Sequence, residues 1–398
     1  MSMLGLDAEV IRPLITALSG ESDQPAVAER FARAAWSGIA EPGDRAAGLL
    51  VAALGAEAAL GAVIDRWDVQ RLQERADELT LDELSSALAR WQPRINSASA
   101  VRALTQAERF QARLVVPGDA AWPSGFADLG EHAPLALWVR GDLSALAALE
   151  ASIALVGARA ATGYGEHVTM EASAGLVDRG YAIVSGAAYG IDGMAHRAAL
   201  ASSGTTIAFL AGGADRLYPS GHEALLSRIM ETGAVVSELP CGAPPTKWRF
   251  LQRNRLIAAA SSATVVIEAG WRSGSLNTAG HAASIGRPLG AVPGPVTSAT
   301  SAGCHRLIRE HGAVLVSTVD EIAELVPLAT TAVRGGTERQ PSDQIRVLDA
   351  MSARAPRAVG DLAARAGLSV AEVQAVLGTL QLEGAVAEKE RGWLRGPH

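Results

Sequence analysis

From Ile153 the sequence reads IALVGARAATGYG, an apolar run of strand length that ends in a glycine turn and leads into a segment of helix length. Strands that alternate with helices form right-handed βαβ units, which build a parallel sheet covered on both faces. The sequence therefore predicts an α/β fold with an extended Rossmann-like, doubly wound parallel sheet. Seven such runs occur: Ile153–Val156, Ala182–Ser185, Thr206–Leu210, Val235–Ser237, Thr264–Ile267, Leu289–Val292 and Val314–Val316.

Two shorter apolar runs precede this pattern. They lie in ARLVVPGD and ALWVRGD, each ended by Gly-Asp, and predict further strands from Gln111 onward. Upstream, the apolar spacing is helical, and Thr80–Glu83 and Thr105–Glu108 have the sequence of capping boxes that open helices. We therefore expect a helical N-terminal domain over residues 1–110, of the sterile-alpha-motif or helix-hairpin type, and a Rossmann-like domain over residues 111–327.

The composition changes after Pro327. Residues 328–343 include the polar stretch TTAVRGGTERQPSD and predict a linker. Residues 344–398 contain three helix-like segments, the last opened by the capping-box sequence SVAE, and turns at Gly384 and Gly392, which together predict a winged-helix domain. The third helix has no Lys or Arg between Ser369 and Leu382. Because helices that read DNA carry basic residues, we expect this domain to contact protein.

Charge and cysteine content restrict the class of protein. The 398 residues have a formal net charge of −7, with 21 acids against 13 bases in residues 1–152 and 13 of each in residues 153–326. This balance argues against indiscriminate nucleic-acid binding, so any anion site is local. Two cysteines exclude a disulfide framework and a Cys-based zinc site. No apolar stretch approaches the roughly 20 residues of a membrane span, so we expect a cytoplasmic protein without a membrane partner.

Glycine-rich turns follow several of the predicted strands. Ligands of doubly wound sheets bind beyond the carboxyl ends of the strands, so these turns should meet. Glycines let the backbone approach an anion, and Ser273, Gly274 and Ser275 come just before a helix whose N-terminal N–H groups attract phosphate. The turns predict a phosphate-lined crevice; the sequence has neither G-x-G-x-x-G nor a Walker A loop. They read GAR (157–159), SGAAYGID (185–192), AGGADRLYP (211–219) and EAGWRSGSLNTA (268–279).

A basic and aromatic cluster occupies residues 247–255, which read KWRFLQRNR. Four bases and two large aromatic residues fall within nine positions of a chain that is 4% aromatic. From Leu239 to Arg309, Glu268 is the only acid against eight Lys or Arg residues, a net charge of +7. Basic side chains pair with phosphates, and unpaired bases stack on aromatic rings at roughly 1–3 kcal/mol each. The cluster predicts a single-stranded nucleic-acid site, although each aromatic ring taken alone could be a core anchor.

Three titratable residues leave a catalytic role open. Asp192 and His196 are four residues apart and share a helix face, so they form either an acid/base pair or a structural hydrogen bond that holds the helix against the sheet. No nucleophile lies near them in the sequence, which favours the structural interpretation. Glu268, at a strand end, has the same two interpretations. His281 has no partner at metal-ligand spacing, and we expect no metal and no cofactor.

Six segments, in their order and spacing, resemble the DNA-processing protein A family (DprA, also called Smf). They cover about residues 115–325 and include GIDGMAH, KWRFLQRNR and SGSLNTA. The resemblance implies an extended Rossmann fold that binds single-stranded DNA, forms a homodimer and loads the RecA recombinase in natural transformation. It also implies a phosphate contact by Arg159, contacts to the strand and a base by Lys247 and Phe250, and a pocket lined by Arg253 and Asn254.

The chain departs from the family pattern at two positions. Ala158 stands where the family more often has Ser, and this change leaves Arg159 in place. His305 stands where Asn is frequent, in the turn before LIRE, so only the contact expected of that Asn is affected. We predict a non-enzymatic DNA binder. Its rivals are an enzyme similar to the nucleotide phosphoribohydrolases, with Glu268 or Asp192 as catalytic group, and a transcription regulator that uses the winged helix. The predicted DNA contacts are Arg159, Ser185, Gly186, Lys247, Phe250, Arg253, Asn254, Arg255, Ser273 and Gly274.

Overall fold

Nine strands form one central sheet in the computed structural model, which describes residues 4–328, 343–352, 355–382, 386–389 and 391–395. Every run from Ile153 onward that the sequence predicts as a strand is one, with ends shifted by at most one residue. The strands are β1 Arg113–Val115, β2 Leu137–Gly141, β3 Ser152–Gly157, β4 Ala182–Ser185, β5 Thr206–Phe209, β6 Ala234–Ser237, β7 Ala263–Glu268, β8 Leu289–Ala291 and β9 Val314–Leu315.

The strands lie in the order β1-β2-β6-β5-β4-β3-β7-β8-β9. From β6 to β9 all neighbours run parallel, whereas β2 pairs antiparallel with both β1 and β6. After β3 the chain adds strands first on one side and later, from β7, on the other, so the strand order reverses between β3 and β7. The predicted doubly wound α/β fold is confirmed, with an antiparallel extension at one edge. The reversal point is where such sheets bind ligands.

Helices pack on the sheet and make up the N-terminal region. The capping box predicted at Thr80–Glu83 opens a helix. The prediction of a capping box at Thr105–Glu108 is wrong, because Thr105 lies inside a helix that begins at Ser97 after the capping residue Asn96. The helices are α1 Ala8–Ser19, α2 Gln24–Ile39, α3 Arg45–Leu54, α4 Ala56–Ile64, α5 Val69–Gln73, α6 Leu81–Trp91, α7 Ser97–Arg109, α8 Gly163–Asp178, α9 Ile191–Ala201, α10 Glu223–Thr232, α11 Lys247–Ala260, α12 Ser275–Ser284, α13 Ala302–Glu310 and α14 Val319–Glu324.

The N-terminal helices share a core with the sheet. Ile15 of α1 and Phe31 of α2 pack with Trp138 of β2 in one buried cluster. Residues through Pro327 form one compact unit, and a second unit begins at Leu328. The boundary predicted at residue 110 stays a prediction. Within the described ranges no single helix has the length and apolarity of a membrane span; only α3 and α4 together, bent by 111°, meet these criteria.

The second unit has the elements of a winged helix: α15 Asp343–Ala350, α16 Val359–Ala366, α17 Val370–Leu382, and the antiparallel strands β10 Val386–Lys389 and β11 Gly392–Arg395. The predicted capping box before α17 is present, because Glu372 N–H donates to Ser369 Oγ and the Glu372 carboxylate accepts Ser369 N–H. Gly384 and most of the predicted linker lie outside the described residues. The core includes Val347, Met351, Leu362, Val373, Leu377, Leu380 and Val386.

Candidate nucleic-acid interface

A cleft of about 880 Å³ opens where the strand order reverses between β3 and β7. Its walls are the turns after these two strands and the first turns of α11. Glycine at position 157 allows the start of α9 to pack against the end of β3, because a Cβ there would lie 2.6 Å from Ile191 Cγ1. The structure brings seven of the ten predicted contact residues to this cleft: Arg159, Lys247, Phe250, Arg253, Asn254, Ser273 and Gly274.

Three exposed cations line the cleft: Arg159 after β3, Lys247 at the start of α11 and Arg272 after β7. None of them forms an ion pair or a side-chain hydrogen bond with any residue that the structure describes. Asp192 is the only acid in the described lining; it is 7% exposed and accepts two backbone N–H groups. The charge of the cleft therefore favours an anionic ligand. Sequence reasoning did not select Arg272, although it lies in one of the glycine-rich turns.

Phe250 lies half-buried in the cleft wall, between cationic and aromatic neighbours. The guanidinium carbons of Arg159 and Arg253 lie 5.1 Å and 5.7 Å from the centre of its ring. The ring of Tyr218, 49% exposed, lies 5.7 Å away, centre to centre. Together the two rings offer a surface on which an unpaired base can stack. Tyr218 was also missed from the sequence, where its only signal is its place in the turn after β5.

The N-terminus of α12 faces the same cleft. The backbone N–H groups of Gly274 and Ser275 have no hydrogen-bond acceptor within the described part of the chain. The hydroxyl groups of Ser273 and Ser275 lie 2.7 Å apart beside them. N–H groups at the start of a helix carry partial positive charge and bind phosphate. With Arg272 next to them, these groups form an N–H cradle whose charge and donors suit an anion.

Arg253 and Asn254 line the cleft but are already engaged in hydrogen bonds. Arg253 is 5% exposed, and its Nη1 donates to the Gly186 carbonyl at 2.6 Å. Burial lowers the pKa of this guanidinium to about 10, which leaves it charged at neutral pH. The Asn254 amide nitrogen donates to the side-chain oxygen of Asn277 at 3.2 Å, and the Asn254 amide oxygen accepts from Arg253 Nε. Both residues hold the walls of the cleft in place.

Three predicted contact residues do not reach the cleft. Arg255 is 2% exposed, and its two terminal nitrogens donate to the Glu238 carboxylate at 2.7 Å and 2.6 Å. The guanidinium of Arg255 is therefore buried in an ion pair away from the cleft, which argues against the predicted DNA contact. Ser185 is fully buried and donates its hydroxyl to the Leu155 carbonyl. Gly186 lies under Arg253, where a Cβ would meet the guanidinium at 2.3 Å.

The helical conformation of α11 distributes the basic cluster around its axis. Lys247 and Phe250 face the cleft. Trp248, 56% exposed, instead lines a separate groove together with the acids Asp82 and Glu83. Arg249 makes two hydrogen bonds to the Glu41 carboxylate, at 3.0 Å and 2.8 Å. The number of basic residues in KWRFLQRNR is thus larger than the number that line the cleft.

The candidate catalytic groups have structural partners. His196 Nδ1 lies 2.6 Å from Thr206 Oγ1 of β5, so a hydrogen bond of this histidine ties α9 to the sheet, with Thr206 and not Asp192 as its partner. Burial lowers the pKa of His196 to about 3 and raises the pKa of Asp192. Glu268, 2% exposed, accepts the N–H and the hydroxyl of Thr162 at 2.9 Å and 2.8 Å and so holds the start of α8.

Comparison with known proteins agrees with this fold. The family model described as DNA recombination-mediator protein A matches residues 113–327, and that of the DprA winged helix domain matches residues 334–390. A Mycobacterium tuberculosis protein named putative DNA processing protein DprA is 44% identical over 299 residues, which cover 71% of this chain and 76% of that protein. Protein Smf of Escherichia coli is 39% identical over 273 residues, 66% of this chain and 72% of that protein.

A solved structure extends the match to three dimensions. The X-ray structure of DNA processing protein A from Streptococcus pneumoniae aligns with a TM-score of 0.56 and 29% identity, and covers 73% of this chain and 95% of that chain. The matched family model alone spans more than half of this chain. The chain belongs to the DNA recombination-mediator protein A family, whose members are named DprA or Smf.

Proposed function

We propose that this protein binds single-stranded DNA in the cleft between β3 and β7, and that it acts as a mediator of recombination on that strand. The observation that carries the proposal is the position of Phe250, half-buried beside Tyr218 in a cleft that also holds three unpaired cations. Phosphates would bind Arg159, Lys247 and the N–H cradle at the start of α12. An unpaired base would stack on the rings. Affinity would thus come from the backbone and from stacking, with little base specificity.

We expect the protein to prefer single strands to duplex DNA. Stacking on Phe250 or Tyr218 requires a base face that a duplex keeps covered by the neighbouring base pair, and α17 has no Lys or Arg with which to read a groove. Fluorescence anisotropy with a labelled oligonucleotide, free and annealed to its complement, measures this preference. Equal affinity for the two forms would contradict the proposal.

We propose RecA as the recombinase partner and the incoming strand of natural transformation as the DNA. The family description as a recombination mediator supports a role of this kind. A mediator must hold the strand while the recombinase nucleates, and this role would place the protein in the cytoplasm. RecA ATPase activity on strands already covered by a single-strand-binding protein measures the effect. We expect stimulation by the wild type and weaker stimulation by Lys247→Ala, and no stimulation by the wild type would contradict the proposal.

We also propose that the protein works as a homodimer through its Rossmann-like domain. One cleft holds few nucleotides, so two clefts on one strand would raise affinity through effective concentration without any new contact. Sedimentation velocity at micromolar concentration tests the assembly. The proposal predicts the mass of two chains, and a monomer across the concentration range that binds DNA would contradict it.

We propose that no chemical step takes place in the cleft. The rival reading as a phosphoribohydrolase-like enzyme needs a carboxylate that reaches substrate, but Glu268 is buried against Thr162 and Asp192 accepts backbone N–H groups. Incubation with nucleoside monophosphates, followed by chromatography of the base released, separates the two readings. Base release that is lost in Glu268→Gln would favour the enzyme.

A further inference from the structure

A second exposed tryptophan, Trp271, stands at the rim of the cleft. Its side chain is 53% exposed, and its neighbours on both sides in the chain, Gly270 and Arg272, line the cleft. The guanidinium carbon of Arg306, from α13, lies 5.0 Å from the centre of the indole ring. A cation at this distance is attracted to the ring. Trp271 thus lies at the cleft rim by its place in the chain, between two lining residues, and more than half of its surface is open.

The charges around Trp271 suit a phosphate backbone. Arg272 follows it in the chain and has no partner among the described residues, and Arg306 packs on the ring. Glu310, the acid that contacts Arg306 at 3.0 Å, also pairs with Arg309, so that two arginines share one carboxylate. This part of the surface therefore keeps an excess of positive charge next to an exposed ring, the combination that single-stranded nucleic acid recognises.

Trp248 provides the contrasting case on the other side of α11. It is exposed to a similar extent, 56%, but its groove contains four acids, namely Glu41, Asp44, Asp82 and Glu83. The arginines of that groove pair with these carboxylates: Arg90 with Asp44, and Arg45 with Glu83. A phosphate backbone would be repelled there, so exposure of an indole alone does not define a binding position for DNA.

We propose that Trp271 is a further base-stacking position, which receives a nucleotide of the same single strand after that strand leaves the cleft past Arg272. The proposal rests on the proposed function of the cleft and extends it by naming the direction in which the strand continues. Arg306 positions the indole from α13. The strand then contacts one ring surface inside the cleft, at Phe250, and one at its rim, with Arg272 placed between them to bind the connecting phosphate.

The test is the affinity for thymidylate oligonucleotides of increasing length, measured by anisotropy on the full-length protein. Strands too short to leave the cleft should bind Trp271→Ala and wild type equally. Longer strands should bind Trp271→Ala about 5- to 150-fold more weakly, the loss expected for one stacked base. Trp271→Phe should recover most of that affinity, because it restores a ring. The matched control, Trp248→Ala, should bind strands of every length with the affinity of the wild type. Because both indoles are largely exposed, neither Trp271→Ala nor Trp248→Ala should lower the melting temperature.

The same series separates failure of this inference from failure of the proposed function. If Trp271→Ala follows the wild type at all lengths while Lys247→Ala binds more weakly, the cleft proposal stands and the rim position is overturned. If Lys247→Ala also follows the wild type, the cleft proposal itself falls, and the inference with it. A change of sedimentation in Trp271→Ala, without a length-dependent loss, would mean that a second copy of the chain covers the indole and would also overturn the inference.

Discussion

Arg255→Met should lower the free energy of unfolding by about 3–5 kcal/mol, because it leaves the Glu238 carboxylate buried without its partner. The two side chains are 3% and 10% exposed, and their atoms meet at 2.6 Å. Arg255 Nε also donates to the His132 carbonyl at 2.9 Å, which ties α11 to the segment before β2. Urea unfolding followed by far-ultraviolet circular dichroism measures the loss.

The control for Arg255 is Arg249→Ala on the same helix. Arg249 pairs with Glu41 near the surface, and Glu41 keeps a second partner, Arg94, at 2.7 Å, so this change should cost about 0–1 kcal/mol. The structure predicts that Arg255→Met, once folded, binds single-stranded DNA as the wild type does. Unchanged stability together with a large loss of affinity would contradict this account and would support Arg255 as a DNA contact.

Phe250→Ala should weaken binding of single-stranded DNA by roughly 1–3 kcal/mol and leave the salt dependence of the affinity unchanged. A stacked ring contributes through apolar contact and releases no counterions, in contrast to a basic side chain. Anisotropy titrations at several salt concentrations give both quantities at once. Phe250→Tyr, which keeps the ring, is the matched control and should retain most of the affinity.

The alternative for Phe250 is a core anchor, and it predicts a different result. Truncation of a fully buried Phe typically costs about 3–5 kcal/mol of stability. Because this ring is half-buried and faces the cleft, we expect a smaller loss. A large fall in melting temperature with unchanged DNA affinity would show that Phe250 serves the core and not the strand.

The fold could be predicted from the sequence because the central strands are buried on both faces. Every residue of β7 is buried, and so is all of β3 except its terminal glycine, so each strand contains a short continuous apolar run that is recognised by its length and by the glycine turn after it. The location of the cleft followed from the same pattern, since turns after parallel strands meet at one edge. Thr105 shows where prediction from sequence failed. A capping-box sequence inside a longer helical pattern does not start a helix when an earlier residue, here Asn96, already caps that helix.

The composition of the site was harder to predict, because a cluster in sequence is not a cluster in space. Along α11, Lys247, Phe250 and Asn254 follow helical spacing and share the cleft side. Trp248, Gln252 and Arg255 follow the same spacing on another side of the helix. Arg255 forms its ion pair with the Glu238 carboxylate, which belongs to a different segment of the chain. No local sequence pattern predicts such a partner. Tyr218 and Arg272 were missed because the sequence does not show which turn residues point inward.

The salt dependence of single-strand affinity in Lys247→Ala and Arg159→Ala tests the central claim most directly. If these side chains neutralise phosphates in the cleft, each variant should bind more weakly and should lower the slope of log affinity against log salt by about 0.7, the value for one lost contact on a single strand. Arg249→Ala, two residues from Lys247 but paired with Glu41, should keep the wild-type slope. Wild-type affinity and slope in both Lys247→Ala and Arg159→Ala would contradict the account.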